Sequence, residues 1–260
     1  VSHELKTPLT SIRGYAEMLM EDDAPQDIRD GFIKSISKNA LRLQNLVDDL
    51  LDLSRLESGG WVARPESVSV EEVANEALSW CINAANRRDV SIEITPMGTV
   101  YADRQGLLQS LRNLLENAVR HSEQGGIIKV TARRVKGDFV HIEVSDEGEG
   151  ITAKALPRIF ERFYRADSSR ARDIGGTGLG LAIVRHLIEG MGGQVEAESE
   201  LGEGATIRLT LPFSKSCEVS EQKNPAGTGL PSLDEGIQDP AVGLANSVTL
   251  FPESEKDPIA

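Results

Sequence analysis

Apolar residues at Leu5, Leu9, Ile12, Ala16 and Leu19 recur at spacings of three and four, which predicts one face of a helix from Ser2 to about Met20. The acidic run Glu21-Asp22-Asp23-Ala24-Pro25 breaks the pattern. A second, longer helix is predicted from about Asp27 to Glu57. There Phe32, Ile36, Leu43, Leu46, Leu50 and Leu53 follow a 3.5-residue repeat, with Asn39 as its one polar member. Ile33, Ala40, Val47 and Leu51 add a flanking stripe, so the apolar face is wider than a two-helix seam. A single hairpin of two such helices leaves much of that face in water. A homodimer that closes a four-helix bundle is therefore expected, the alternative being a hairpin packed on the chain's own second domain.

Ser58-Gly59-Gly60 stops the second helix, and with Trp61 and Pro65 it divides a hairpin of residues 1–60 from a linker of residues 61–66. Residues 67–213 read as a mixed domain. A strand near 67–70 leads to a helix from Glu71 to about Arg88, strands at 90–95 and 99–102, and a helix at 103–121. Ile128, Val130 and Ala132 alternate with polar residues, as do Val140, Ile142 and Val144, and Gly137-Asp138 separates the two runs: a hairpin with one buried face. A helix from about Leu179 to Met191 precedes a second hairpin, 194–199 and 205–211. The expectation is an α + α/β chain, a helical hairpin followed by a two-layer α/β sandwich rather than a doubly wound sheet. From Ser214 the pattern stops. Residues 214–260 hold five of the eleven prolines and an excess of acids, the composition of a disordered acidic tail; a docking segment around Val248 to Phe251 is the alternative for it.

The 260 residues carry a formal charge of -13, so a surface that tracks nucleic-acid phosphates is not expected. Cys81 and Cys217 lie far apart and form no CxxC pair, which argues against a disulfide framework or a thiolate zinc site and fits a reducing compartment. No apolar run approaches the ~20 residues that cross a bilayer. A helical pattern is already running at Val1, so upstream segments are expected in the parent protein.

Chemistry concentrates in three patches. Asp146-Glu147-Gly148-Glu149-Gly150 follows a strand, and Gly175-Gly176-Thr177-Gly178-Leu179-Gly180-Leu181 runs into a helix, whose free N–H groups favour an anion such as phosphate. Neither matches a Walker or dinucleotide fingerprint. Between them, Ile151 to Ile174 is too long for an ordinary loop and carries Phe160, Phe163 and Tyr164 beside Arg162, Arg165, Arg170 and Arg172, the make-up of a lid. Asn113 and Asn117, four apart on a helix, share one face and can offer amide oxygens to a hard cation such as Mg²⁺.

With these patches in view, the chain resembles the sensor histidine kinases of two-component systems. Ser2-His3-Glu4-Leu5-Lys6-Thr7-Pro8-Leu9-Thr10 is similar to their H box, Asn113 to Ala118 to the N box, Asp146 to Gly150 to the G1 box, Phe160 to Arg165 to the F box and Gly176 to Leu181 to the G2 box. The boxes stand in the family's order across about residues 1–213. The resemblance implies a dimerisation and phosphotransfer hairpin followed by an ATP-binding domain of the fold shared with gyrase B and heat-shock chaperone ATPases. It implies that His3 attacks the γ-phosphorus of ATP with Glu4 as its base, and that Thr7 orients water during hydrolysis of a partner's phosphoaspartate. Asn117 would hold Mg²⁺ and Asn113 would add a polar contact. Asp146 would accept a hydrogen bond from the adenine amino group, and Arg120 and Arg162 would hold phosphates, with His121 close to the nucleotide. Gly148, Gly150, Ile151, Gly176, Thr177, Gly178, Leu179 and Gly180 would complete the cradle. Glu147 departs from the family's usual Asn, Thr or Ser.

The implied activity is ATP-dependent autophosphorylation of His3 and transfer to an aspartate of a response-regulator receiver domain. A phosphatase-dominant sensor, a non-catalytic ATP-binding scaffold and a serine kinase or ATP-driven clamp of the same fold are the competing readings. Most of the family are membrane receptors, so the resemblance implies a cytoplasmic portion whose parent is anchored in the inner or plasma membrane through upstream segments. His141 and His186 are assigned to sheet surface and helix face.

Overall fold

In the computed structural model, the structure describes residues 2–20, 25–95, 98–165 and 176–213. The acidic tail, the second half of the lid with Arg170 and Arg172, and the acidic break after Met20 lie outside the described residues.

Helices α1 (Ser2–Met20) and α2 (Gln26–Glu57) form the expected hairpin. Pro8 sits inside α1 and is buried. Around it, the Thr7 hydroxyl donates to the His3 carbonyl at 3.1 Å and the Ser11 hydroxyl to the Thr7 carbonyl at 3.2 Å. Back-bonding hydroxyls of this kind soften a helix where proline has already removed an N–H. Tyr15 and Phe32 stack near the turn, with centroids 5.5 Å apart. The flanking stripe stays in water: Ile33, Leu41, Val47 and Leu51 of α2 are exposed, and so is Leu9 of α1.

The second unit begins with β1 (Glu66–Ser69) and α3 (Val70–Arg87), whose first turn is capped by the Ser69 hydroxyl accepting from the Glu72 N–H. Strands β2 (Ser91–Ile94) and β3 (Thr99–Ala102) and helix α4 (Arg104–His121) follow. Asp103 caps α4 with one carboxylate oxygen on Gly106 N–H at 2.8 Å, and the other accepts from Arg64 N–H at 2.9 Å. Strands β4 (Ile127–Val135) and β5 (Phe139–Asp146), helix α5 (Gly180–Gly190) and strands β6 (Gln194–Ser199) and β7 (Ala205–Pro212) complete the unit. The five-stranded sheet has the order β2-β4-β5-β7-β6, parallel only at β2 and β4, and β1 pairs with β3 in a separate ribbon. Helices α3, α4 and α5 cover one face of the sheet, giving the two-layer sandwich. Leu107, Leu111, Leu114 and Leu115 of α4 meet Ile128, Ile142, Leu209 and Leu211 of the sheet and Ile183, Leu187 and Ile188 of α5, all fully buried.

Residues 61–65 lie against this unit. The Trp61 ring is so close to Gly106 and Gly190 that a methyl on either would meet it, and Arg64 is tied to the α4 cap. The hairpin is joined to the same core through the last turns of α2, where Leu53 is 2% exposed and Leu50 and Leu56 pack beside it. The C-terminal end of the wide apolar face thus packs on the chain's own second unit, the alternative to a dimer, while Ile33, Leu41, Val47 and Leu51 stay exposed in the single chain. His141 departs from the surface assignment, since its Nδ1 is buried without a hydrogen-bond partner among the described residues. No helix among the described residues is long and apolar enough to cross a membrane.

Leu53 is the apolar link between the two units. Leu53→Ala is expected to cost about 2–4 kcal/mol by removing buried methyl groups, read as a lower midpoint in denaturant; a loss under about 0.5 kcal/mol, the range of surface substitutions, would show that the junction does not support the fold.

Candidate active site

Helix α4 carries the first group of polar residues on the side left over by its core face. Asn113, Glu116, Asn117 and Arg120, spaced by three and four, are half-buried, whereas the leucines between them are buried. The Asn113 amide donates to the Gly180 carbonyl at 3.4 Å and so ties α4 to the first turn of α5. Asn117 makes no side-chain hydrogen bond among the described residues, which leaves its amide oxygen open. Burial lowers the pKa of Arg120 from the usual guanidinium value, against the opposing pull of Glu116 and Asp49. A methyl on Gly176 would stand 3.2 Å from Arg120 Nη1, so the glycine loop lies directly on this cation.

The second group closes the other end of α4. Asp146 ends β5; burial raises its carboxyl above the usual range, while the N–H groups of Gly148 and Ala205 and the nearby His121 oppose the shift. The Gly148 N–H donates to Asp146 Oδ1 at 3.0 Å, and Gly148 also bridges to Ser122 just beyond α4. A side chain at Gly148 would run into the His121 carbonyl, which is why glycine is required there. The His121 ring reaches Glu149 Oε1, 3.0 Å from its Nδ1. Ile151 is half-buried, and its N–H donates to the Ser199 hydroxyl at 2.8 Å, fixing the chain that follows Gly150.

The third group is the junction of lid and glycine loop. The Phe163 N–H donates to the Gly178 carbonyl at 2.8 Å, and both residues have positive φ, +60° and +74°. A Cβ on Gly178 would lie 3.0 Å from Phe163 Cα, so only glycine allows this approach. Leu179 is fully buried. No side chain caps α5, so its first N–H groups remain available to an anion.

Two of the expected phosphate contacts are engaged elsewhere. The Thr177 hydroxyl donates to Asp49 Oδ2 of α2 at 2.6 Å, and Arg162 forms an ion pair with Glu57 of α2. His186 Nε2 lies 3.4 Å from the same Glu57, and the Gln109 amide donates to Asp52 at 2.8 Å. The last turns of α2 thus present three carboxylates to the rim of the glycine cluster. Sequence patterning does not single out Asp49, Asp52 and Glu57, whose only signal is their place beside the apolar repeat of α2. The structure brings Asn113, Arg120, Gly176 and Gly180 together, and likewise His121, Asp146 and Gly148. His3, Glu4 and Thr7 stay on α1, whose principal neighbour is α2. His3 and Thr7 are exposed.

A groove of about 420 Å³ between α3 and α4, lined by Trp80, Cys81, Ala84, Arg88 and Val119, shares Glu116 and Arg120 with this site. Burial pushes the Cys81 thiol up to about 11, so it stays protonated and inert at neutral pH.

The molecule is thus a hairpin with an exposed histidine in its first turn, joined to an α/β sandwich that carries the open Asn117 amide on one helix and glycine loops on its edge. The family model described as "Histidine kinase-, DNA gyrase B-, and HSP90-like ATPase" matches residues 102–215, and "His Kinase A (phospho-acceptor) domain" matches residues 1–59. The chain is 35% identical over 230 residues to sensor histidine kinase WalK of Bacillus subtilis, covering 84% of this chain and 36% of WalK. It superposes on the solved mycobacterial sensor histidine kinase MprB at a TM-score of 0.51 and 31% identity, covering 97% of that chain and 56% of this one. Full-length ShkA, solved in complex with AMPPNP, matches at 0.62 and 31% identity over 82% of this chain and 44% of that one. The chain belongs to the sensor histidine kinase family. It spans about half the length, or less, of the curated relatives it matches.

The junction carries a pH signature. Burial raises the Asp49 carboxyl above its usual value, with the Thr177 hydrogen bond opposing and the charges of Asp52, Glu116 and Asp48 adding to the rise. A carboxyl with a raised folded-state pKa contributes most below its unfolded pKa, and the contribution is lost as pH rises through the folded value. Asparagine keeps an oxygen for Thr177 and removes the buried charge. Asp49→Asn is therefore expected to raise the melting temperature at pH 7 by about 2–4 °C and to change it little below about pH 4; a lower melting temperature at pH 7 would mean that the charged bond to Thr177 outweighs burial.

Proposed function

We propose that this chain is the phospho-accepting and ATP-binding core of a sensor histidine kinase, with residues 1–60 as hairpin and 67–213 as catalytic domain. It transfers the γ-phosphoryl group of ATP to His3 and from there to an aspartate of a response-regulator receiver domain. The observation that carries this reading is the pairing of an exposed His3, followed by Glu4, on α1 with the α4 face that bears Asn117 and on which Asn113 and the desolvated Arg120 meet the glycine loop.

The residues fit ATP and its metal. Asp146, partly removed from water at the base of the pocket, accepts the adenine amino group, and guanine would present a carbonyl there. Arg120 and the uncapped first turn of α5 face the phosphates, where charge-assisted donors are strongest. Asn117, with Asn113 beside it, would hold Mg²⁺, which when bound neutralises phosphate charge during transfer. Arg162 and Thr177 join this set when the α2 carboxylates release them. His3 offers one ring nitrogen as nucleophile while Glu4 accepts the N–H of the other. The open stripe of Leu9, Ile33, Leu41, Val47 and Leu51 supports a homodimer as the active form. Thr7 is exposed one turn after His3, and its oxygen keeps lone pairs to orient a water, which supports dephosphorylation of the regulator as a second activity of the same helix.

His3→Gln is expected to abolish labelling from γ-labelled ATP and onward transfer to a receiver domain, while calorimetry still finds nucleotide binding. Continued labelling of that variant would remove His3 from its role.

A further inference from the structure

Helix α2 buries a cation for which the hairpin provides little to bind. The Arg42 side chain is 12% exposed, and its Nε is buried without a hydrogen-bond partner among the described residues. Its Nη2 lies 3.8 Å from Glu4 Oε2, close enough for charge attraction and too far for a hydrogen bond. Removing a guanidinium from water costs several kcal/mol unless it is paired and bonded, and apolar residues of similar volume at such positions are often neutral or stabilising. Packing therefore does not account for an arginine here. The group it faces is the carboxylate directly after His3.

We propose that Arg42 is a positioning residue for phosphoryl transfer at His3, acting through Glu4; this rests on the role of Glu4 given above. Arg42 places a cation beside the Glu4 carboxylate. At 3.8 Å it draws Glu4 across the hairpin without occupying the oxygen lone pairs that must accept the imidazole N–H. As the free ring nitrogen forms the N–P bond, the P–O bond to ADP breaks and its electron pair leaves with ADP. Positive charge develops on the ring, and the Glu4 carboxylate beside Arg42 takes the ring proton, which then passes to water.

The test uses the full chain and single-turnover labelling from ATP with Mg²⁺. Arg42→Met is expected to lower the maximal rate roughly tenfold, a part of the ~10²- to 10⁴-fold that acid–base catalysis supplies. The KM for ATP should stay within about twofold, and the melting temperature should be equal or higher. Arg42→Lys, which keeps the charge, should return the rate to within about threefold of the unmodified chain. A Met variant as fast as the parent, a Lys variant as slow as Met, or a fall in melting temperature that tracks the loss of rate would each overturn the proposal. Absence of labelling in the unmodified chain would instead remove the kinase reading on which it rests.

Discussion

The burial of one face of α4 is the constraint on which the rest of the molecule depends. Leu107, Leu111, Leu114, Leu115 and Ala118 fill the space between the sheet, α3 and α5. Once they are placed, the 3.6-residue period leaves Asn113, Glu116, Asn117 and Arg120 on one line, of which Asn113 and Arg120 meet the glycine loop. The polar groups are not free to rotate, because any turn of the helix would bring leucine into water. Rigidity of this polar face is thus a by-product of hydrophobic packing, and the Asp103 cap and the Asn113 bond to Gly180 fix the helix along its axis.

The same domain is tied to the hairpin by a contact of different character. Leu53 joins α2 to the shared core, and around it Asp49, Asp52 and Glu57 reach Thr177, Gln109, Arg162 and His186. An apolar centre with a polar rim resembles an interface more than a core, and two of its partners, Thr177 and Arg162, belong to the proposed nucleotide site. The half-exposed ion pairs at its edge contribute little energy, so the junction is held chiefly by packing and tuned by charge. His3 stands on the far helix of the hairpin, and the proposed phosphoryl transfer would require that the acceptor and the polar face of α4 be brought together by motion within one chain or between two.

Much of this was legible in the sequence because periodicity reports burial directly. The bounds of α1, α2 and α4 and the hairpin of β4 and β5 follow from apolar spacing, and Gly178 and Gly148 sit where backbones touch. Helical spacing singles out Asn117 beside Asn113, whereas the adenine role of Asp146 comes from box order rather than physics. The role of the α2 acids was not legible, since a carboxylate on a helix flank reads as solvated until the partner surface is known. Arg162 and Thr177 were expected on the nucleotide and are found on α2 because ion pairing across the junction depends on long-range packing. Arg42 gave no signal at all: a basic residue in a repeat looks exposed, and only the hairpin's register places it beside Glu4.

The central claim is a bond between the imidazole of His3 and phosphorus, and the stability of the labelled adduct tests it most directly. The unmodified chain, incubated with γ-labelled ATP and Mg²⁺ and then exposed to acid or to base, should lose its label in acid and keep it in base, as an N–P bond does. An adduct that survives acid, as a phosphoserine or phosphothreonine does, or no adduct on a protein that binds ATP, would contradict the account.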